Sequence, residues 1–138
     1  QATFSGNIAG IGSFISIENS SIDISNSIIW NNEGQMFKVN DESTSSLSIN
    51  FSDIENISSS IPVSDGLNVN LGSGNIDQDP MFCNPINKDY RLSDESVCRG
   101  VSSTGAVIGA YRNSCSDPLA LSDGSQNVLP NFYLEQNF

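Results

Sequence analysis

The feature that most constrains how this chain can fold is a recurrence. The segment Ser21-Ile22-Asp23-Ile24-Ser25-Asn26-Ser27-Ile28-Ile29-Trp30-Asn31-Asn32 has counterparts on both sides at a separation of 25 residues. One step forward, Ile22 meets Leu47, Ile24 meets Ile49, Ser27 meets Ser52, Ile29 meets Ile54 and Asn31 meets Asn56. One step back, Ile29 meets Phe4, Trp30 meets Ser5 and Asn32 meets Asn7. A unit this short, with small apolar runs broken by Ser, Asn, Asp and Gly, cannot bury a core by itself, so successive units must stack.

Within each unit the apolar residues alternate: Phe14-Ile15-Ser16-Ile17, Ile22-Asp23-Ile24, Ile28-Ile29-Trp30, Phe37-Lys38-Val39, Leu47-Ser48-Ile49, Asp53-Ile54 and Leu67-Asn68-Val69-Asn70-Leu71. Period two with β-branched residues predicts short strands, and no stretch carries the i, i+3, i+4, i+7 spacing of a useful helix. Like strands one repeat apart would pair in register and in parallel, which predicts an all-β parallel β-helix over residues 1–75, about three coils of roughly 25 residues. The column Phe4, Ile29, Ile54 is apolar throughout and is expected to face the core, whereas Thr3, Ile28, Asp53 and Ser5, Trp30, Glu55 are mixed. Asn31 and Asn56 fall at a bend, where they read either as a stacked side-chain ladder or as ordinary turn residues.

After Asn75 the repeat stops. Asp79-Pro80, Asn84-Pro85-Ile86-Asn87, Asp94-Glu95 and Gly100 punctuate short runs up to Ala106-Val107-Ile108-Gly109-Ala110-Tyr111. Residues 76–112 read as a closing module that covers the open end of the stack. Residues 113–130, rich in Ser, Asp, Asn, Gln and Gly, read as a linker.

Sixteen acidic residues face five basic ones, a net charge of -11, and Lys38 is the only cation in residues 1–75. Nucleic acid binding rests on Lys and Arg neutralising phosphates, so a nucleic acid partner is not expected. An acidic surface suits cation binding or a neutral partner, although a solvated face with no partner is the plainer reading. The absence of His removes imidazole acid-base chemistry and imidazole metal ligation from the chain. No apolar run reaches the roughly 20 residues of a membrane-spanning helix. With the repeat already under way at Ala2-Thr3-Phe4 and no charged apolar leader before it, the chain reads as a piece of a longer protein.

Three strings carry a resemblance: Asn26-Ser27-Ile28-Ile29-Trp30-Asn31-Asn32; Asn75-Ile76-Asp77-Gln78-Asp79-Pro80-Met81-Phe82-Cys83-Asn84-Pro85 with Asp89-Tyr90-Arg91-Leu92; and Ser96-Val97-Cys98 with Ile108-Gly109-Ala110-Tyr111. Together they resemble the end of secreted right-handed parallel β-helix proteins of the pectate-lyase-like superfamily, in particular those with a choice-of-anchor closing region. The resemblance covers roughly residues 1–112, and the middle string is its most specific part. Val97 stands where that group usually has Pro, and Lys88 where it usually has Gly. Residues Leu129-Pro130-Asn131-Phe132-Tyr133-Leu134-Glu135-Gln136-Asn137-Phe138 are similar to the opening of the sorting domain of the bacterial type IX secretion system, which places the start of that domain at 131–138. The resemblance implies export across the outer membrane, followed by release or surface attachment.

Cys83, Cys98 and Cys115 are odd in number, and an exported protein usually pairs two of them. Relatives of the group often carry a fourth Cys near Ser103-Thr104, absent here, which leaves one thiol free. Of the three pairings that can be drawn, Cys83 with Cys98 is expected, closing a loop of about 15 residues worth up to roughly 3 kcal/mol. Asp77 and Asp79, with Asp89 and Asp94 further on, are candidate oxygen ligands for Ca²⁺, but the Asp-x-Asp spacing lacks the Gly and distal Glu of a calcium loop and also reads as turn-forming Asp before Pro. No other cofactor is implied.

β-Helix polysaccharide lyases and hydrolases use carboxylates, with or without calcium, and a basic residue in a groove along the helix face. Asp23, Asp53 and Glu55 would lie on coil faces with Lys38 as the only base, and no paired catalytic set is evident. Trp30, Asp53 and Glu55 are the candidate ligand-contacting residues, since an exposed indole can stack on a sugar ring, although Trp30 also reads, and more readily, as packing under a neighbouring loop. Two functions follow: a non-catalytic structural, adhesive or glycan-binding surface element that meets an extracellular polysaccharide or surface protein, or the end of a polysaccharide lyase or glycoside hydrolase whose catalytic residues lie upstream of residue 1.

Overall fold

The computed structural model describes residues 1–41, 45–61 and 67–117. The alternating runs form strands β1 (Thr3–Ser5), β2 (Ile8–Glu18), β3 (Ser21–Ser25), β4 (Ile28–Trp30), β5 (Glu33–Asp41), β6 (Ser46–Asn50), β7 (Asp53–Ile54) and β8 (Asn68–Leu71), with one short helix, α1 (Ile57–Ser60), before β8. β9 (Phe82–Asn84), a 3₁₀ turn (Pro85–Asn87) and β10 (Asp89–Leu92) follow.

These strands do not build the expected right-handed parallel β-helix of three like coils. They fall into separate small sheets: β1-β4-β7 and β3-β6-β8 with three strands each, and β2-β5 and β9-β10 with two, the last antiparallel. The spacing explains the separation into small sheets. The step of 25 holds where Phe4 faces Ile29, Ile29 faces Ile54 and Ile22 faces Leu47. It shortens to 22 where Leu47 faces Val69, and within β2-β5 it changes from 25 at Ile8–Glu33 to 22 at Ile15–Phe37. A unit that loses three residues cannot repeat its predecessor's path. β7 keeps only two residues, and α1 occupies the chain beyond it.

Two apolar clusters share strand β4. Ile29 joins Ile17, Ile24, Phe37, Leu47, Ile49 and Ile54 on one side. Ile28, one residue away and pointing oppositely, joins Leu92, Cys98 and Ile108 on the other. Alternation alone predicts one buried face, and the second cluster forms because residues 76–110 lie across the outer face of β1-β4-β7 rather than only over its end. The Gly109 N–H donates to the Asn26 carbonyl and the Ala110 N–H to Thr3 Oγ1, each at 2.9 Å. A Cβ at Gly109 would meet Ile28 Cδ1 and Thr3 Oγ1 at 2.8 Å, and its φ of +84° disfavours any other residue. In the Phe4, Ile29, Ile54 column, Ile29 and Ile54 are fully buried and Phe4 is 37% exposed.

The disulfide joins Cys83 to Cys115, 32 residues apart, and the expected Cys83–Cys98 bond is absent because Cys98 is buried in the second cluster. Arg91 reinforces the same closure: it grips Asp89 through Nε at 2.9 Å and Nη2 at 2.8 Å, while Nη1 donates to the carbonyls of Ser114 and Asp117. Most of the expected linker and the expected sorting segment at 131–138 lie outside the described residues.

Corners between strands use left-handed backbone in columns. Gly6, Asn31 and Asn56 have φ of 69°, 56° and 53°, and Asn26, Phe51 and Gly74 have 51°, 47° and 72°. Asn tolerates this region because its short side chain compensates locally, whereas a β-branched residue does not. Asn31→Val should therefore cost about 1–2 kcal/mol and Asn31→Gly far less, read from urea unfolding midpoints. Thiol labelling checks the disulfide: under non-reducing conditions the native chain should label nowhere, and the denatured chain only at Cys98.

Candidate functional site

The polar side chains at the corners mostly satisfy the backbone one repeat away. Ser27 Oγ accepts the Ala2 N–H, Ser52 Oγ accepts the Ser27 N–H and Asn75 Oδ1 accepts the Ser52 N–H, at 3.1, 3.2 and 3.1 Å. This ladder runs under buried Ser27 and Ser52 and keeps their turns paired without water. Of the two readings of Asn31 and Asn56, the structure shows turn residues in left-handed backbone rather than a side-chain ladder. Carboxylates take that place, with Glu55 Oε2 accepting the Asn31 N–H at 2.6 Å and Asp77 Oδ1 accepting the Asn56 N–H at 3.0 Å. The amide ladder sits one residue on, where Asn7 Nδ2 donates to Asn32 Oδ1 at 2.9 Å.

Of the three candidate ligand contacts, the structure separates Asp53 from the other two. Asp53 is fully buried; its Oδ1 accepts the Gln78 N–H at 3.1 Å and its Oδ2 accepts the Cys98 thiol at 3.0 Å. It faces the second cluster because its partner column, Thr3 and Ile28, is covered by residues 76–110, so it is not a surface ligand contact. The four candidate calcium ligands are likewise apart and engaged. Asp77 holds the Asn56 N–H, Asp79 Oδ1 accepts the Met81 N–H at 2.8 Å, Asp89 holds Arg91, and Asp94 Oδ2 accepts the Ser116 hydroxyl at 2.9 Å. Among the described residues no three His, Cys, Asp or Glu side chains come together to hold a metal ion.

Trp30 is half-buried, packed against the second cluster. Its neighbours come from far along the chain. Trp30, Asn31, Asp79, Met81, Phe82 and Pro85 line a shallow depression of about 270 Å³. Met81 reaches it through a left-handed turn at φ 54°, held by Asp79, and the Phe82 ring is fixed by an edge contact with Tyr90 at 5.3 Å. No local pattern in the sequence pairs Trp30 with Met81 or Phe82, since the link between them is the fold of the covering segment. The hollow thus brings an indole, a second aromatic ring and a thioether together with a carboxylate and an amide.

No family model matches the chain, and neither the curated proteins nor the solved structures contain a match to it. Among the described residues no helix is long and apolar enough to cross a membrane.

The buried acid and thiol are strongly perturbed. Burial pushes the Asp53 carboxyl up from its ordinary 3.8 to about 6, against the Cys98 and Gln78 hydrogen bonds, with Asp77 and Asp79 adding like charge. Burial, then the Asp53 hydrogen bond and charge, raises the Cys98 thiol above its ordinary value, so the thiolate is suppressed. A carboxyl with a raised folded-state pKa favours folding below its unfolded value and withdraws that contribution as pH rises through the folded one. Stability should thus fall between about pH 4 and pH 6 by up to about 3 kcal/mol from this group. Asp53→Asn, which keeps an acceptor for the Gln78 N–H, should flatten that part of the profile, measured as urea midpoints from pH 4 to pH 8 against the parent chain.

Proposed function

We propose that this chain is a non-catalytic, glycan-contacting element of an exported bacterial surface protein, with Trp30 as its central contact. The observation that carries the reading is the depression built by Trp30, Met81, Phe82 and Pro85 with Asp79 and Asn31 at its edge. Its apolar side chains suit the C–H face of a sugar ring, and its carboxylate and amide suit the ring hydroxyls. The carboxylates a hydrolase or lyase would recruit have structural duties: Asp53 is buried against Cys98, and Glu55 holds the Asn31 turn. Export is supported by the Cys83–Cys115 disulfide, since such bonds persist in oxidising compartments.

Trp30 is the only tryptophan, so its fluorescence reports the site without labelling. A bound oligosaccharide should shift the emission and saturate, and Trp30→Ala should weaken binding in calorimetry by about tenfold or more. A glycan array with no hits, or hits that Trp30→Ala leaves unchanged, would remove this reading.

A further inference from the structure

The Trp30 depression has a neighbour. Asn32, Gln35, Met36, Glu55, Asn56 and Ser59 are among the residues lining a second hollow of about 330 Å³ between β5 and α1. Asn31 borders the first hollow and Asn32 the second, and Glu55, in the second, accepts the Asn31 N–H. The two therefore flank a single corner of the chain. We infer that they are adjoining subsites for one neutral oligosaccharide, apolar stacking at Trp30 and hydroxyl recognition at the β5–α1 hollow, and that uronate-bearing glycans are excluded. The inference rests on the glycan-contacting reading above and specifies its ligand.

The charge distribution makes the case for neutrality. Among the described residues neither hollow is lined by Lys or Arg, whereas Asp79 borders one and Glu55 the other. A sugar hydroxyl can donate to either carboxylate, but a uronate carboxylate can only be repelled by them. The net charge of -11 adds a long-range repulsion that salt screens. Gln35 and Asn56 are exposed, and their amides both donate and accept, as Ser59 does through its hydroxyl, which is the capacity a row of sugar hydroxyls requires.

The test is calorimetry and Trp30 fluorescence on the full chain with neutral β-glucan, xylan and mannan hexasaccharides, their disaccharides, and an oligogalacturonate of equal length, at low and high salt. A neutral hexasaccharide should bind at least about tenfold tighter than both its disaccharide and the oligogalacturonate. Added salt, and separately Glu55→Gln with Asp79→Asn, should narrow the gap to the oligogalacturonate. Gln35→Ala with Asn56→Gly, checked by circular dichroism for an unchanged fold, should weaken the hexasaccharide and spare the disaccharide. Oligogalacturonate binding as tight as the neutral chains, with a Trp30 response, would overturn the neutral-ligand inference and leave the glycan-contacting reading standing. A hexasaccharide no tighter than its disaccharide, or indifferent to Gln35→Ala with Asn56→Gly, would overturn the second subsite. Silence across the whole panel would overturn inference and reading together.

Discussion

The structure depends on the in-register parallel pairing of β4 with β1 on one side and β7 on the other. A three-residue strand has little cohesion of its own; hydrogen-bonded on both edges and buried on both faces, it becomes the junction of the molecule. Ile29 enters the first apolar cluster and Ile28 the second, both with no exposed surface. The strand ends where Trp30 and Asn31 turn outward, so the candidate site inherits its position from the same pairing.

Parallel strands joined by tight bends leave backbone groups unpaired at each corner, and the composition answers that need. Ser27, Ser52 and Asn75 serve one column of turns, and Glu55 and Asp77 another. Side chains that might have formed a chemical site are thus spent on the chain itself, which is why Asp77, Asp79, Asp89 and Asp94 do not converge. The positive-φ corners fall mostly on Gly and Asn, with Phe51, Met81 and Lys88 as exceptions. Lys88, at φ 62°, makes the left-handed turn that closes the 3₁₀ segment.

The covering segment contributes the second cluster, the disulfide and one wall of the Trp30 hollow. It also imposes a cost, because it buries the Asp53 carboxyl against Cys98 with Asp77 and Asp79 close enough to raise its pKa. Closure by Cys83–Cys115 and by the Arg91 clamp on Ser114 and Asp117 offsets that cost by fastening the far end of the segment.

Local periodicity determined a good deal by itself. The alternating runs are strands, and the 25-residue recurrence is the parallel register of Phe4, Ile29 and Ile54, because side-chain period and backbone pairing are set by neighbours in sequence and by identical units one step apart. Tertiary structure decided the rest: that unequal unit lengths break the strands into separate sheets, that Asp53 faces inward, that Cys115 rather than Cys98 meets Cys83, and that Met81, Phe82 and Pro85 surround Trp30. The last three of those outcomes depend on where residues 76–117 come to lie. That segment has no repeat to reveal its partners, and its bonds from Arg91 to Asp117 and from Gln1 to Val107 join positions 26 and 106 residues apart.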